Sequence, residues 1–242
     1  MKSCFFTRVV IIASVLFPLL ARGDLTIVQT IDGSAEAGQV TIKIKGEMMR
    51  ADVGAHVATI FDGKSGEVIT LMNDGKTAVR MSADKIKAAA AMMKRFTSEA
   101  ANNETRKFTP NGQKEIIDGY ETEQYVYDGP DLKTSCWLAK KYPKADEILG
   151  QLRAIKSDAW DAAKLSLPDV RELPGIPLRT QTIFKKGLAV TESGKEITTT
   201  IRSIKLDPVN EAEFVVPKDF KEMQMPDLFG GKGLQPSNSG RP

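Results

Sequence analysis

The chain has 242 residues, with 34 Lys and Arg against 31 Asp and Glu, two Cys and one His. This length suits one large β-rich domain or two small ones. A single histidine, His56, argues against a His-based metal cage, and two cysteines cannot build a zinc site alone, because such a site needs four ligands. We therefore expect neither a metal ion nor a cofactor.

Residues 1–23 have the pattern of a secretory signal peptide. Two basic residues precede an apolar run over residues 9–21. The small residues Ala21 and Gly23 then occupy the positions that a signal peptidase recognises, which predicts a mature chain starting at Asp24. The alternative is a membrane anchor, but the apolar run is shorter than the roughly 20 residues needed to span a bilayer. We expect export to the periplasm or the extracellular space, and no transmembrane segment after cleavage.

Cleavage changes the charge and the cysteine content. Without Lys2, Arg8 and Arg22, the 34 basic residues fall to 31 and equal the 31 acidic residues. A neutral chain argues against a nucleic-acid partner, since proteins that bind nucleic acids concentrate positive charge. The mature chain keeps one cysteine, Cys136, which lies in an apolar stretch and cannot form an internal disulfide. We expect its thiol to be a small buried hydrophobic group.

Residues 25–81 show the pattern of strands and turns. Val40, Ile42 and Ile44 alternate with polar residues, which is typical of a sheet with one solvated face. Short segments separated by turns with glycine predict consecutive antiparallel hairpins. Further strands are expected over residues 105–109, 113–117, 121–127, 134–139, 178–188, 196–206 and 213–216.

Two amphipathic helices interrupt the strands. The first is capped by Ser82 and is expected to run from Asp84 to about Ala101. The second follows Pro143. Each carries an apolar stripe that must pack on another element. These stripes are Ile86, Ala89, Met93, Phe96 and Ala100 in the first helix, and Ile148, Leu152, Ile155 and Ala159 in the second.

One antiparallel sheet that curls around a helix would bury these faces most economically. The expected fold class is α+β, mainly antiparallel β, as a curled sheet or incomplete β-barrel wrapped on two amphipathic helices. It would form a single domain over residues 24–229. Residues 230–242 are rich in Gly, Pro and Ser and are expected to be a disordered tail.

The sequence contains fragments of catalytic motifs without the flanking residues that those motifs require, so we expect no catalytic residue. Residues 63–65 resemble the end of a phosphate-binding loop, but Ala58 stands where that motif needs a glycine. No nucleophile elbow presents a serine to His56. Glu121 and Glu123 share a strand face, which is typical of a solvated side. A hydrolase remains an alternative that would require polar groups to converge in a cleft.

Methionine is the one unusual component. Several methionines lie on the strands of the first half and on the helix expected to face them. Because methionine adapts its shape, they could line a cavity for an apolar ligand, although an ordinary hydrophobic core is the simpler alternative. The candidate lining residues are Met49, Met72, Met81, Met93, Phe96 and Trp137.

Five segments together resemble a secreted bacterial family, the domain of unknown function 4412. They are KGEMMRAD over residues 45–52, IFDGKSGEVITLM over 60–72, IIDGYET over 116–122, CWLAK over 136–140 and ELPGIPL over 172–178. The family is distantly similar to the periplasmic lipoprotein carriers and receptors LolA and LolB. The resemblance implies a half-barrel with an apolar concave face suited to acyl chains, but it transfers no binding residue.

Three functional hypotheses follow. The first is an exported, non-enzymatic domain that binds a lipid, an acyl chain or a lipidated partner in a half-barrel. The second is a structural or envelope-interaction protein with a filled core. The third, a hydrolase, has the weakest support in the sequence.

Overall fold

The computed structural model describes residues 23–33, 38–96, 107–155, 173–185 and 194–223. The expected signal peptide up to residue 22 and the expected tail over residues 230–242 lie outside this part of the chain. So do residues 97–101 of the first expected helix and residues 156–159 of the second.

The first described segment of the chain leads into six successive strands, as the hairpin pattern predicts. They are β1 (Leu25–Asp32), β2 (Gly38–Lys45), β3 (Met48–Val53), β4 (Val57–Asp62), β5 (Val68–Met72) and β6 (Thr77–Met81). Each pairs antiparallel with the next. Gly46 and Gly54 have positive φ angles in two of the tight connections, a conformation that costs glycine little.

Helix α1 (Ala83–Phe96) follows, and the Ser82 hydroxyl accepts a hydrogen bond from the Lys85 amide, as expected of an N-cap. The chain continues through β7 (Thr109–Ile117), β8 (Tyr120–Asp128), β9 (Leu132–Ala139) and α2 (Ala145–Ala154). It then forms β10 (Ile176–Phe184), β11 (Glu196–Lys205), a short 3-10 helix (Glu211–Phe214) and β12 (Lys221–Met223).

All twelve described strands belong to one open sheet. Their order is β12-β6-β5-β4-β3-β2-β1-β11-β10-β9-β8-β7, so β12 and β7 are its two edges. Every pair is antiparallel except β12 with β6, which is parallel. The mainly antiparallel β class is confirmed, and the sheet does not close into a barrel. Within the described residues, no helix has both the length and the apolarity needed to cross a bilayer.

Two details of the expected strands are wrong. Residues 213–216 do not form a strand, because Asn210 caps a 3-10 helix there by accepting a hydrogen bond from the Ala212 amide. Residues 113–117 lie in a strand as expected, but this strand continues back to Thr109 as the single strand β7, and residues 105 and 106 lie outside the described part. An irregularity between Pro110 and Lys114 interrupts its pairing with β8, since proline cannot donate to the ladder.

The largest hydrophobic cluster, here called the first cluster, joins both halves of the sheet to α2. Its buried members are Leu25, Ile27, Ile44, Phe61, Ile117, Ala139, Ile148, Leu149, Ile155, Ile176 and Leu178. Ile148 belongs to the expected apolar stripe of α2, whereas Leu149 does not, and both are buried in this cluster, so the helix lies on the sheet. A second cluster contains Ala58, Ile60, Ile69, Leu71 and Ala78 from β4–β6 with Val209 and Phe214 from the C-terminal segment.

Candidate functional site

One face of β1–β6 carries three of the six residues expected to bind a ligand, and is here called the apolar face. It includes Met49, Met72 and Met81, and the side chains that project on the same side as theirs. Residues paired across a sheet share a face, and so do residues two apart in one strand. The pairing therefore arranges this face in three rows.

The first row is the most apolar. It runs across the six strands through Leu25, Ile44, Met49, Phe61, Val68 and Met81. The second row is Ile27, Ile42, Ala51, Thr59, Thr70 and Val79, and the third is Gln29, Val40, Val53, Val57, Met72 and Thr77.

Burial is greatest in the first row, where three of the six residues are buried, against one in each of the other two rows. Phe61 in the first row is 2% exposed and belongs to the first cluster with Ile148 and Leu149 of α2. In the third row, Val57 and Met72 are half-buried and belong to none of the hydrophobic clusters formed by the described residues. The apolar face thus continues beyond the part on which α2 packs.

The structure brings three of the six expected lining residues onto this face. Met49 and Met81 occupy the first row, separated by two strands, and Met72 lies in the third row. Trp137 lies on β9 and packs against the first cluster, which Met49 also contacts. The Arg179 guanidinium carbon lies 5.5 Å from the centre of its ring. The α1 backbone includes residues 93 and 96, but the side chains of Met93 and Phe96 lie outside the described part.

Three hydroxyl side chains lie on the apolar face, those of Thr59, Thr70 and Thr77, and none belongs to the expected set. Thr59 and Thr70 face each other across β4 and β5 in the second row, and both are half-buried. The expected set contains only methionines and aromatic residues, so it does not include these threonines. The short hairpin connections contained the necessary information, because they fix which residues stand opposite each other.

The opposite face of β2–β6 is covered by residues 207–223, here called the C-terminal strap. Phe214 and Val209 of the strap are buried in the second cluster. Arg50 Nη1 donates a hydrogen bond of 2.7 Å to the Glu213 carbonyl oxygen, and Lys43 pairs with the Glu213 carboxylate. The strap thus fills this side of the sheet with apolar contacts surrounded by charge pairs.

The charged candidates for catalysis stay at the surface. His56 and Asp74 form a 2.8 Å contact between two turns, and both side chains are exposed. Lys114 pairs with Glu121, and this ion pair lowers the pKa of the Glu121 carboxyl group. Among the described residues, no three His, Cys, Asp or Glu side chains are grouped so that they could hold a metal ion.

Cys136 is fully buried between Tyr125 and Thr180 on the neighbouring strands. Burial raises its pKa to about 11, against the smaller opposing effect of the hydrogen bond from the Thr180 hydroxyl. A thiol that is protonated at neutral pH is a poor nucleophile. The expectation of a small, buried, hydrophobic cysteine is therefore confirmed.

Comparisons with known proteins add little to this geometry. No protein-family model matches the chain, and no curated protein sequence does. Two solved structures of PNGF-II, in the P21 and C2 space groups, are similar at TM-scores of 0.40 and 0.39, with 12% and 11% identity. The matches cover 84% and 85% of this chain but only 32% and 31% of those chains. A likeness this weak supports no inference about fold or function, and the resemblance to the 4412 family stays a prediction.

Proposed function

We propose that this chain is an exported, non-enzymatic domain that binds a lipid, an acyl chain or a lipidated partner on its apolar face. The observation that carries the proposal is the lower burial of the second and third rows compared with the first. α2 packs on the first row, while Val53, Val57 and Met72 in the third are half-buried outside the described clusters. Such a face offers contact area to an apolar ligand, and burial of that area favours binding.

The chemistry of the face supports an alkyl chain more than a polar ligand. No charged residue stands in the three rows, and Thr59, Thr70, Thr77 and Gln29 supply their polar atoms. A methionine side chain adapts to chains of different shape.

The packing of α2 on the first row also supports the finer proposal for the fold, an incomplete barrel wrapped on two helices. Export is supported by the signal-peptide pattern of residues 1–23.

A pair of matched variants tests ligand binding. Val57→Lys places a charge in the third row, whereas Val215→Lys changes a valine that is exposed on the C-terminal strap. We expect Val57→Lys to weaken binding of a fluorescent fatty acid by at least about tenfold, since a buried charge opposes an apolar ligand. Val215→Lys should bind like the wild type.

Native mass spectrometry of protein purified from its own host provides the second measurement. We expect an adduct with the mass of a lipid that is reduced in the Val57→Lys protein. Bare protein, together with no saturable binding of the fatty acid, would contradict the proposal.

One observation favours the second candidate, a structural or envelope-interaction protein with a filled core. Val40 in the third row is only 5% exposed, so other atoms cover at least that end of the row. This candidate predicts a reproducible protein partner in crosslinking and no bound lipid. A hydrolase is less well supported, because His56 and Asp74 meet in exposed turns rather than in a cleft.

A further inference from the structure

The C-terminal strap contacts the sheet in two different ways along its length. Its first part is held by buried groups. The Val209 amide donates to the Asp24 carboxylate at 2.8 Å, and Phe214 is buried in the second cluster. Arg50 holds the Glu213 carbonyl oxygen from the sheet side. Interactions of this kind are costly to break, because the polar groups involved would be left without partners.

The last part of the strap is held mainly at the surface, apart from Phe220, which is partly buried against the second cluster. Strand β12 pairs with β6 over three residues, and all three of its side chains are exposed. Lys76 pairs with Asp219, whose side chain is 56% exposed, and Arg80 pairs with Glu222, whose side chain is 60% exposed. Exposed ion pairs contribute little to stability because water screens them. This part can therefore leave the sheet at the cost of one partly buried contact, that of Phe220, while Phe214 stays in place.

The β6 edge would stay organised without β12. Arg80 Nη1 donates a 2.8 Å hydrogen bond to the carboxylate of Glu67, which directly precedes β5. The Arg80 guanidinium group therefore keeps one partner when Glu222 leaves. The Lys76 carbonyl oxygen, which accepts from the Lys221 amide, would become available to another strand. The unpaired backbone groups of an exposed strand edge are a template for an added strand. The charged side chains beside this edge would select a strand of opposite charge.

We propose that β12 is an exchangeable plug, and that the β6 edge is a docking site for an extended acidic segment of a partner protein. The segment would lie parallel to β6, as β12 does, with one carboxylate against Arg80 and another, three residues earlier, against Lys76. The strap itself displays this chemistry through Glu222 and Asp219. The proposal is independent of ligand binding to the apolar face.

The two faces of β12 also indicate which side chains the partner segment needs. Glu222 projects toward Arg80, whereas Met223 stands opposite Val79 and extends the second row of the apolar face. A suitable segment therefore has an acidic residue followed by an apolar one. The apolar residue of the segment would extend the second row of the apolar face by one strand, as Met223 does.

A disulfide lock tests the exchange in the mature protein. Val79 and Met223 are register partners, so Val79→Cys with Met223→Cys can form a disulfide between neighbouring strands. Cys136 is fully buried and should not compete. The probe is a fluorescent synthetic peptide with the sequence of residues 217–223. A peptide with lysine in place of Glu222 is its control.

The resident strand competes with the probe at a high effective concentration. We therefore weaken it with Glu222→Lys in the protein and expect the probe to bind about tenfold more tightly than to the wild type. The oxidised lock should abolish binding, and a reductant should restore it. The control peptide should not bind. Equal binding to the locked and reduced proteins, or no binding to the Glu222→Lys protein at millimolar peptide, would overturn the proposal.

Hydrogen exchange of the unmodified protein supplies a readout that does not depend on the variants. The Lys221 amide should exchange much faster than the Val209 amide, because only the last part of the strap opens. Equal protection of the two amides would overturn the proposal. So would a dimer in which the strap of one copy fills the edge of the other, since a second copy would then be the occupant.

Discussion

Arg50 on β3 donates a 2.7 Å hydrogen bond to the carbonyl oxygen of Glu213, a residue 163 positions later in the chain. Its guanidinium group also pairs with Asp52 on the same strand, and Lys43 on β2 reaches the Glu213 carboxylate. The Arg50 side chain thus joins β3, in the N-terminal half of the chain, to the C-terminal strap that covers this part of the sheet.

Arg50→Met should lower the free energy of unfolding by about 1.5–3 kcal/mol, the usual contribution of a hydrogen bond to a charged group. The measurement is the midpoint of denaturant unfolding. Lys114→Met is the control, since it removes a cation from an exposed pair with Glu121 and should leave the midpoint unchanged. Equal effects of the two variants would contradict a structural role for the Arg50 contact.

Gly33 and Gly46 provide a matched test of the junction between β1 and β11. Both have positive φ angles, but a Cβ atom on Gly33 would lie 2.1 Å from the Glu196 carbonyl oxygen, whereas one on Gly46 would have no neighbour within 4 Å. Gly46→Ala should cost about 1–2 kcal/mol from backbone strain alone. Gly33→Ala should cost at least about 3 kcal/mol, because backbone atoms must also move. Thermal unfolding of the two variants would show this difference, and similar melting temperatures would contradict it.

Cys136 should make the stability depend on pH in alkaline solution. Its pKa is raised from 9.0 to about 11 in the folded chain, so the unfolded chain releases the proton first as the pH rises. The stabilisation is complete below pH 9 and is lost as the pH rises from about 9 to 11. The total effect is about 2–3 kcal/mol. Unfolding of the wild type and of Cys136→Ala between these pH values isolates it, and parallel curves would contradict it.

Phe61 and Met72 compare the two ends of the apolar face. Phe61→Ala should cost about 3–5 kcal/mol, because it opens a cavity in the first cluster. Met72→Ala should cost about 1 kcal/mol or less if the third row is open to a ligand, since part of its area is already accessible. A cost of about 2–5 kcal/mol for Met72→Ala would instead indicate a filled core. Urea unfolding of both variants decides between these outcomes.

The hairpins of β1–β6 could be predicted from the sequence because their information is local. Alternation in residues 40–45 and glycine turns between short strands fix both the pairing and the faces. β12 could not be predicted in this way, because Lys221, Glu222 and Met223 have no strand pattern of their own. They pair with β6 because Phe214 and Phe220 have already placed the strap on the second cluster.

The candidate site shows the same division. Methionine content drew attention to Met49, Met72 and Met81, and the hairpin register places all three on one face. Their different burial is a consequence of where α2 packs, which no local pattern contains. Thr59 and Thr70 were missed because a threonine in a strand has no distinctive signature until its neighbours across the sheet are known.

The sequence by itself determined the mainly antiparallel β class, the succession of hairpins over residues 25–81 and the buried state of Cys136. These properties follow from alternation, turns and apolar context, which act over a few residues. Only the tertiary structure decided which part of the apolar face α2 covers, and that the C-terminal strap closes the opposite face through Arg50 and Phe214. Contacts between residues far apart in the chain depend on packing, and packing is a property of the whole fold.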